Sequence, residues 1–180
     1  MRTYVAARLV MPVDERRDHI RGPIDAAVTL VEYGDFECPY CGQAHVILNE
    51  LVEVVGDSMR LVFRNFPLVT VHPHAELAAE AAEAAGAQSQ YWEMHDVLYE
   101  NQHALDERHL ASYADALGLD LKRFVSDLSE RRFQPRVRED FLSGVQSGVN
   151  GTPTFFINDI RHDGGNDLTS LLAAIQEAMP

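Results

Sequence analysis

Cysteine is nearly absent from this 180-residue chain, which has two, at positions 38 and 41. That excludes a framework of structural disulfides, and a chain of this length buries a proper core without one. Positive charge is also scarce: 15 Lys and Arg stand against 28 Asp and Glu, for a net charge of −13. Such a balance argues against a nucleic-acid partner and against adhesion to anionic membranes. Arg131-Arg132 is short and soon followed by Glu139-Asp140, so it reads as a solvated helix face. Long apolar runs are missing as well. The stretch 4–13 is cut by Arg8 and followed by Asp14-Glu15-Arg16-Arg17-Asp18, which is no signal-peptide core, and nothing else is long enough to span a bilayer. These absences predict a protein with no stable membrane insertion, placed in the cytoplasm. There a Cys-x-x-Cys is more often catalytic or metal-binding than structural.

Both cysteines lie in one motif, Cys38-Pro39-Tyr40-Cys41, where an apolar run ending in Glu32-Tyr33-Gly34 gives way to a helical pattern. Proline is pre-set for the first helical position and lacks an N–H that would be unpaired there anyway, so Pro39 marks the helix start and Cys38 its cap. Free amides and the helix dipole then favour a thiolate at Cys38, the species that attacks disulfides. Cys41, one turn in, has more burial and less of that field, which suits a resolving thiol. The spacing puts both thiols on one face, within disulfide geometry.

The elements around the motif follow a definite order. Residues 27–33 read as a strand buried on both faces, and Leu48, Leu51, Val52 and Val55 then repeat at helical spacing before Gly56. Residues 60–66 form a second strand stopped by Pro67, completing a parallel βαβ unit. Residues 73–148 are helical throughout, in segments 75–85, 91–101, 106–117, 121–131 and 135–145. A strand returns at 154–157, Asn158-Asp159 turns the chain into Ile160-Arg161-His162, and a last helix from about Asp167 buries Leu168, Leu171, Leu172 and Ile175.

With the helical block lifted out, the order βα, β, ββα is that of thioredoxin. Over roughly residues 20–178 the chain resembles the DsbA-like thioredoxin family. The resemblance is carried by Glu32-Tyr33-Gly34-Asp35-Phe36-Glu37 before Cys38-Pro39-Tyr40-Cys41, by the helical insertion, and by 148–158, which contains Gly151-Thr152-Pro153-Thr154. It implies an α/β thioredoxin fold with an inserted all-helical domain: an N-terminal extension at 1–22, a thioredoxin-like domain at 23–72 and 148–180, and the insertion at 73–147. It further implies a protein disulfide oxidoreductase with no cofactor beyond the cysteine pair, acting on protein or peptide thiols and disulfides and recycled by a redox partner. Pro153 takes the role of a cis-proline against the cysteines, with the Thr152 backbone open to an extended substrate. Phe36 and Tyr40 are expected to form the apolar rim of the groove. Glu32 is expected to be a buried acid near Cys41 that relays its proton, since burial raises a carboxyl pKa.

Other readings remain beside this one. Zinc could take Cys38, Cys41 and His45, with His72 and His74 elsewhere, but no second ligand pair at the required spacing is present and the loop His72-Pro73-His74 reads as solvated. A glutaredoxin-like, glutathione-linked reductase shares Cys-Pro-Tyr-Cys, yet has a far shorter connection to its proline. A non-catalytic peptide-binding or chaperone module would keep the groove and dispense with the thiols.

Overall fold

The computed structural model of the chain describes residues 7–180. Residues 1–6, part of the expected extension and of the 4–13 stretch, lie outside the described residues. The ordered elements begin with the short strand His19–Arg21 (β1), followed by Val28–Gly34 (β2), the helix Pro39–Val55 (α1) and Met59–Asn65 (β3). Strands β2 and β3 are parallel, and α1 supplies the crossover that such a pair requires. Five helices come next: Ala75–Gly86 (α2), Tyr91–Glu100 (α3), Glu107–Ala116 (α4), Leu121–Ser129 (α5) and Gln134–Gln146 (α6). The chain then returns through Thr154–Ile157 (β4) and Ile160–Arg161 (β5) to Leu168–Ala178 (α7). The sheet order is β1-β3-β2-β4-β5, so β2, which leads into the cysteines, lies at its centre.

Local chemistry explains most boundaries. Asp106, Asp120 and Asp167 cap α4, α5 and α7 by accepting from first-turn amides. Asn158 and Asp159 adopt left-handed φ values of 45° and 67°, which suits the two-residue hairpin joining β4 to β5. The alanines of α2, among them Ala78, Ala81, Ala82 and Ala85, are buried and let neighbouring helices approach closely. Alternation along β2 sends Val28 and Leu30 toward α1 and α7, and Val31 and Tyr33 to the opposite face.

Within the stretch expected as an N-terminal extension, residues 19–21 form part of the sheet: β1 pairs antiparallel with β3, and Arg8 forms a bridge with Ile160 at the other sheet edge. Strand β1 is too short to show the period-2 pattern that betrays a strand. Arg131-Arg132 is not merely solvated. Arg131 pairs with the buried Glu80 and Arg132 with the buried Asp127.

Gly34 ends β2 under a tight ceiling. A Cβ there would sit 2.5 Å from the Phe63 ring and 2.9 Å from the Tyr99 hydroxyl. Phe63 cannot yield, because it is wholly buried against Phe36 and His95. Gly34→Ala is therefore expected to destabilise the protein by about 1–3 kcal/mol, the usual cost of overpacking, as read from the urea midpoint.

Candidate active site

Helix α1 opens at Cys38, an N-cap in extended conformation (φ −73°, ψ 122°), with Pro39 at the first helical position. The Cys38 amide donates to the Asp35 carbonyl at 3.1 Å. Gln102, beyond the end of α3, donates to the carbonyls of Phe36 at 2.9 Å and Cys38 at 2.8 Å. Any Cβ at Gly42 would collide with Gln102, so this glycine allows the side chain to reach over the motif and hold it. Neither Gln102 nor its partnership with Gly42 was legible in the sequence, because nothing in the local pattern links positions so far apart.

Both cysteines are free thiols; Cys38 is 3% exposed and Cys41 fully buried. Their environments drive them apart. Cys38 is pulled down to about 5, chiefly by a hydrogen bond from the Cys41 thiol, and against the opposing effect of burial. The Thr152 side chain and the amides of Cys41 and Tyr40 add to the pull. The Thr152 hydroxyl is buried and has no hydrogen-bond partner among the described residues. Burial pushes Cys41 far up, reinforced by its bond to Cys38 and by the nearby charge of Glu32. The Cys38 sulfur lies 3.6 Å from the Thr152 carbonyl, and the Thr152–Pro153 peptide bond is cis.

Glu32 lies at the sheet centre, opposite Phe63 on one neighbouring strand and Phe155 on the other. It is 1% exposed and its Oε1 has no hydrogen-bond partner. Burial, and then the negative charge of Cys38, push its carboxyl up to about 8.

Tyr40 is 69% exposed and stands over a groove of about 360 Å³ that also touches Ile47 and Pro153. A hollow of about 480 Å³ beside β1, lined by Asp18, His19 and Tyr91 among others, has no thiol in its wall. Phe36 is a correction. It is 1% exposed and packs on Phe63 and Tyr99 with ring centroids 5.1 and 5.0 Å away, so it is core beneath the motif and no part of a groove rim. Its position just before a helix start hides this, because the side chain turns inward onto α3.

The histidines are placed differently from the expectation. His72 Nδ1 lies 2.8 Å from Asp35 Oδ2, and His74 Nδ1 3.0 Å from Glu37 Oε1, so this loop is engaged and not simply solvated. His45 packs against His95 and Tyr99. With His95 and Asp96 it offers donor atoms within 4.8 Å of one another, a group that contains neither cysteine. Asp96 there is already held by Arg21 at 2.6 Å and by His95 at 2.8 Å, and the adjacent guanidinium opposes a second cation.

Comparison with known proteins adds to this geometry. The sequence pattern of the family described as Thioredoxin matches residues 14–177. The chain is 51% identical over 170 residues to a protein of Salinispora arenicola (strain CNS-205) named Na(+)/H(+) antiporter NhaA 1, covering 94% of this chain and 26% of that protein. The chain thus spans about a quarter of the length of the curated relatives it matches. Among solved structures, oxidised BdbD from Bacillus subtilis superposes with a TM-score of 0.82 over 97% of both chains at 22% identity. A thioredoxin-like oxidoreductase from Silicibacter pomeroyi DSS-3 superposes at 0.81, covering 91% of this chain and 93% of its own, at 27% identity.

Proposed function

Since the chain belongs to the thioredoxin family, in its DsbA-like form, we propose that it is a thiol–disulfide oxidoreductase whose Cys38–Cys41 disulfide is passed to substrate protein thiols. The observation that carries this reading is the separation of the two thiols, Cys38 held down to about 5 and Cys41 driven up. A stabilised Cys38 thiolate stabilises the reduced form, which makes the disulfide oxidising.

The steps balance in that direction. A substrate thiolate attacks Cys38 Sγ; the Cys38–Cys41 bond breaks, and Cys41 leaves with the electron pair. Protonated Glu32 supplies the proton that Cys41 takes up and is reprotonated from solvent. A second substrate thiolate attacks the substrate sulfur of the mixed disulfide and expels Cys38 as a thiolate, a good leaving group because its pKa is low. The substrate is oxidised by two electrons and the cysteine pair reduced. Thr152 offers backbone beside the sulfur for an extended substrate, and Tyr40 with Pro153 borders the groove that receives it.

Equilibration with glutathione tests the direction. A potential nearer the about −120 mV of DsbA than the about −270 mV of thioredoxin is expected, and a thioredoxin-like value would overturn a donor role. A disulfide donor suits an oxidising compartment, which departs from the cytoplasmic expectation. The relatives named as antiporters are matched over only 26% of their length. That stretch is read as a redox unit joined to a transport protein, and ion transport is not carried over. No helix among the described residues is long and apolar enough to cross a membrane.

Glu32→Gln separates stability from function. A carboxyl raised from 4.5 to about 8 keeps its proton in the folded state while the unfolded chain loses it, so folding stability falls as pH climbs between those values. The glutamine variant escapes this penalty and is expected to be more stable than the parent at pH 8, while exchange slows about 10²-fold, a typical loss for a proton-transfer group. Urea unfolding at pH 5 and pH 8, with stopped-flow exchange, checks both halves.

A further inference from the structure

The exchange steps leave unused the two carboxylate–histidine pairs that latch the loop between β3 and α2 onto the active-site turn. Asp35 is the buried hub. Its Oδ1 accepts from the Glu37 amide at 2.8 Å, its Oδ2 accepts from the Leu68 amide at 2.8 Å and meets His72 Nδ1 at 2.8 Å, and its carbonyl holds the Cys38 amide. One residue therefore joins the nucleophile's backbone to the imidazole. Glu37 repeats the arrangement further out, accepting from the His74 amide and meeting its ring. The His74 side chain is 48% exposed and that of His72 only 18%, so the inner pair is the better shielded.

The charges facing His72 are Asp35, Glu37 and Cys38, all on the segment before α1; His74, on its own loop, is turned to Glu37. Burial alone would lower the His72 pKa, yet the Asp35 bond and charge, followed by the charges of Cys38 and Glu37, raise it. One of those three negative charges exists only when Cys38 is a thiolate. It vanishes when the disulfide forms.

We propose that His72 is a positioning residue that couples a proton to the redox state of the Cys38–Cys41 pair: its imidazolium, held by Asp35, favours the Cys38 thiolate, and disulfide formation loosens its hold on that proton. Linkage makes the effect reciprocal, so a proton on His72 favours the reduced protein to the same extent that reduction favours the proton. The two electrons come from the substrate dithiol as before, and the proton on His72 comes from and returns to solvent. The inference rests on the exchange reading above.

His72→Asn tests it, because the amide can still donate to Asp35 and keep the loop in place while the charge is lost. In the reduced variant, the ultraviolet thiolate titration of Cys38 is expected to shift upward by roughly half a unit to one unit, a three- to tenfold change in its acid constant. The equilibrium with glutathione is expected to move toward the disulfide by a similar factor at pH 6, and the difference to fade as pH rises past the His72 titration. In the parent protein, NMR titration is expected to give a higher His72 pKa in the reduced than in the oxidised state. Identical Cys38 titrations in parent and variant, both showing the same melting curve, would overturn the proposal. So would an identical His72 pKa in the two redox states, a measurement that stands even where the variant does not fold. Failure of the exchange reading looks different, because the parent itself would form no Cys38–Cys41 disulfide in glutathione buffer.

Discussion

Cys38→Ser is expected to bring disulfide exchange with a reduced test protein down to the uncatalysed background, while Cys41→Ser, which cannot form the donor disulfide either, still attacks an oxidised test protein through Cys38 and accumulates mixed disulfides. The asymmetry follows from the environments. Cys38 carries the low pKa and touches Thr152 beside the groove, so removing it removes the sulfur through which every step passes. Cys41 is wholly buried, and its loss leaves Cys38 able to attack a substrate disulfide while removing the thiol that would resolve the resulting mixed disulfide. Trapped species on a non-reducing gel, resolved by mass spectrometry, read the second outcome directly. The experiment also separates the proposed oxidoreductase from a chaperone-like module that uses the groove alone. If Cys38→Ser left oxidation and reduction of the test protein unchanged, the exchange mechanism would be wrong.

Arg64→Leu is expected to be among the most destabilising single changes in the protein. Arg64 sits in β3 with its side chain wholly buried. It donates from Nε to Asp18 Oδ1 at 3.0 Å, from Nη2 to Asp18 Oδ2 at 2.9 Å, and to the carbonyls of Met11 and Pro12. The Asp18 side chain is also fully buried, so leucine at 64 leaves its carboxylate with only Arg17 and the Asp14 amide and takes the donor away from the carbonyls of Met11 and Pro12. Breaking such a pair from one side costs about 3–5 kcal/mol, a large part of the about 5–15 kcal/mol that holds a domain folded. The sign of the pH dependence is fixed by Asp18, whose carboxyl lies below its ordinary value because the Arg64 bonds and charge outweigh burial. Its contribution is complete above the unfolded pKa and is lost as pH falls through the lower folded one. In the variant the Asp18 carboxyl, held only by Arg17 and the Asp14 amide, protonates more readily, so the deficit narrows on acidification. Urea unfolding at pH 4 and pH 7 measures both the cost and its trend, and a loss under about 1 kcal/mol would show that the pair is dispensable.

The order of elements was legible because each leaves a local mark: the buried run before Cys38, the period of α1, Pro67 after β3, and the Asn158-Asp159 turn. Strand β1 and the pairing of residues 8–18 with the sheet were not, since they depend on Arg64 and Ile160, far along the chain. The same limit misplaced Phe36 and the histidines. A phenylalanine before a helix start is compatible with a groove wall or with core, and only the rings of Phe63 and Tyr99 above it decide. A His-x-His loop is compatible with solvent, and the carboxylates of Asp35 and Glu37 decide otherwise.

The sequence by itself determined the thiol pair, its place at a helix start, and which cysteine is nearer the unpaired amides, because helix initiation by Pro39 is a matter of neighbouring residues. The tertiary structure alone decided what those thiols can do. It brought Thr152 to within 3.6 Å of the Cys38 sulfur across more than a hundred residues, enclosed Glu32 between Phe63 and Phe155, and set Asp35 between Cys38 and His72. Proton affinity and redox poise depend on charge and solvent through space, and contacts between distant segments exist only after the chain has folded.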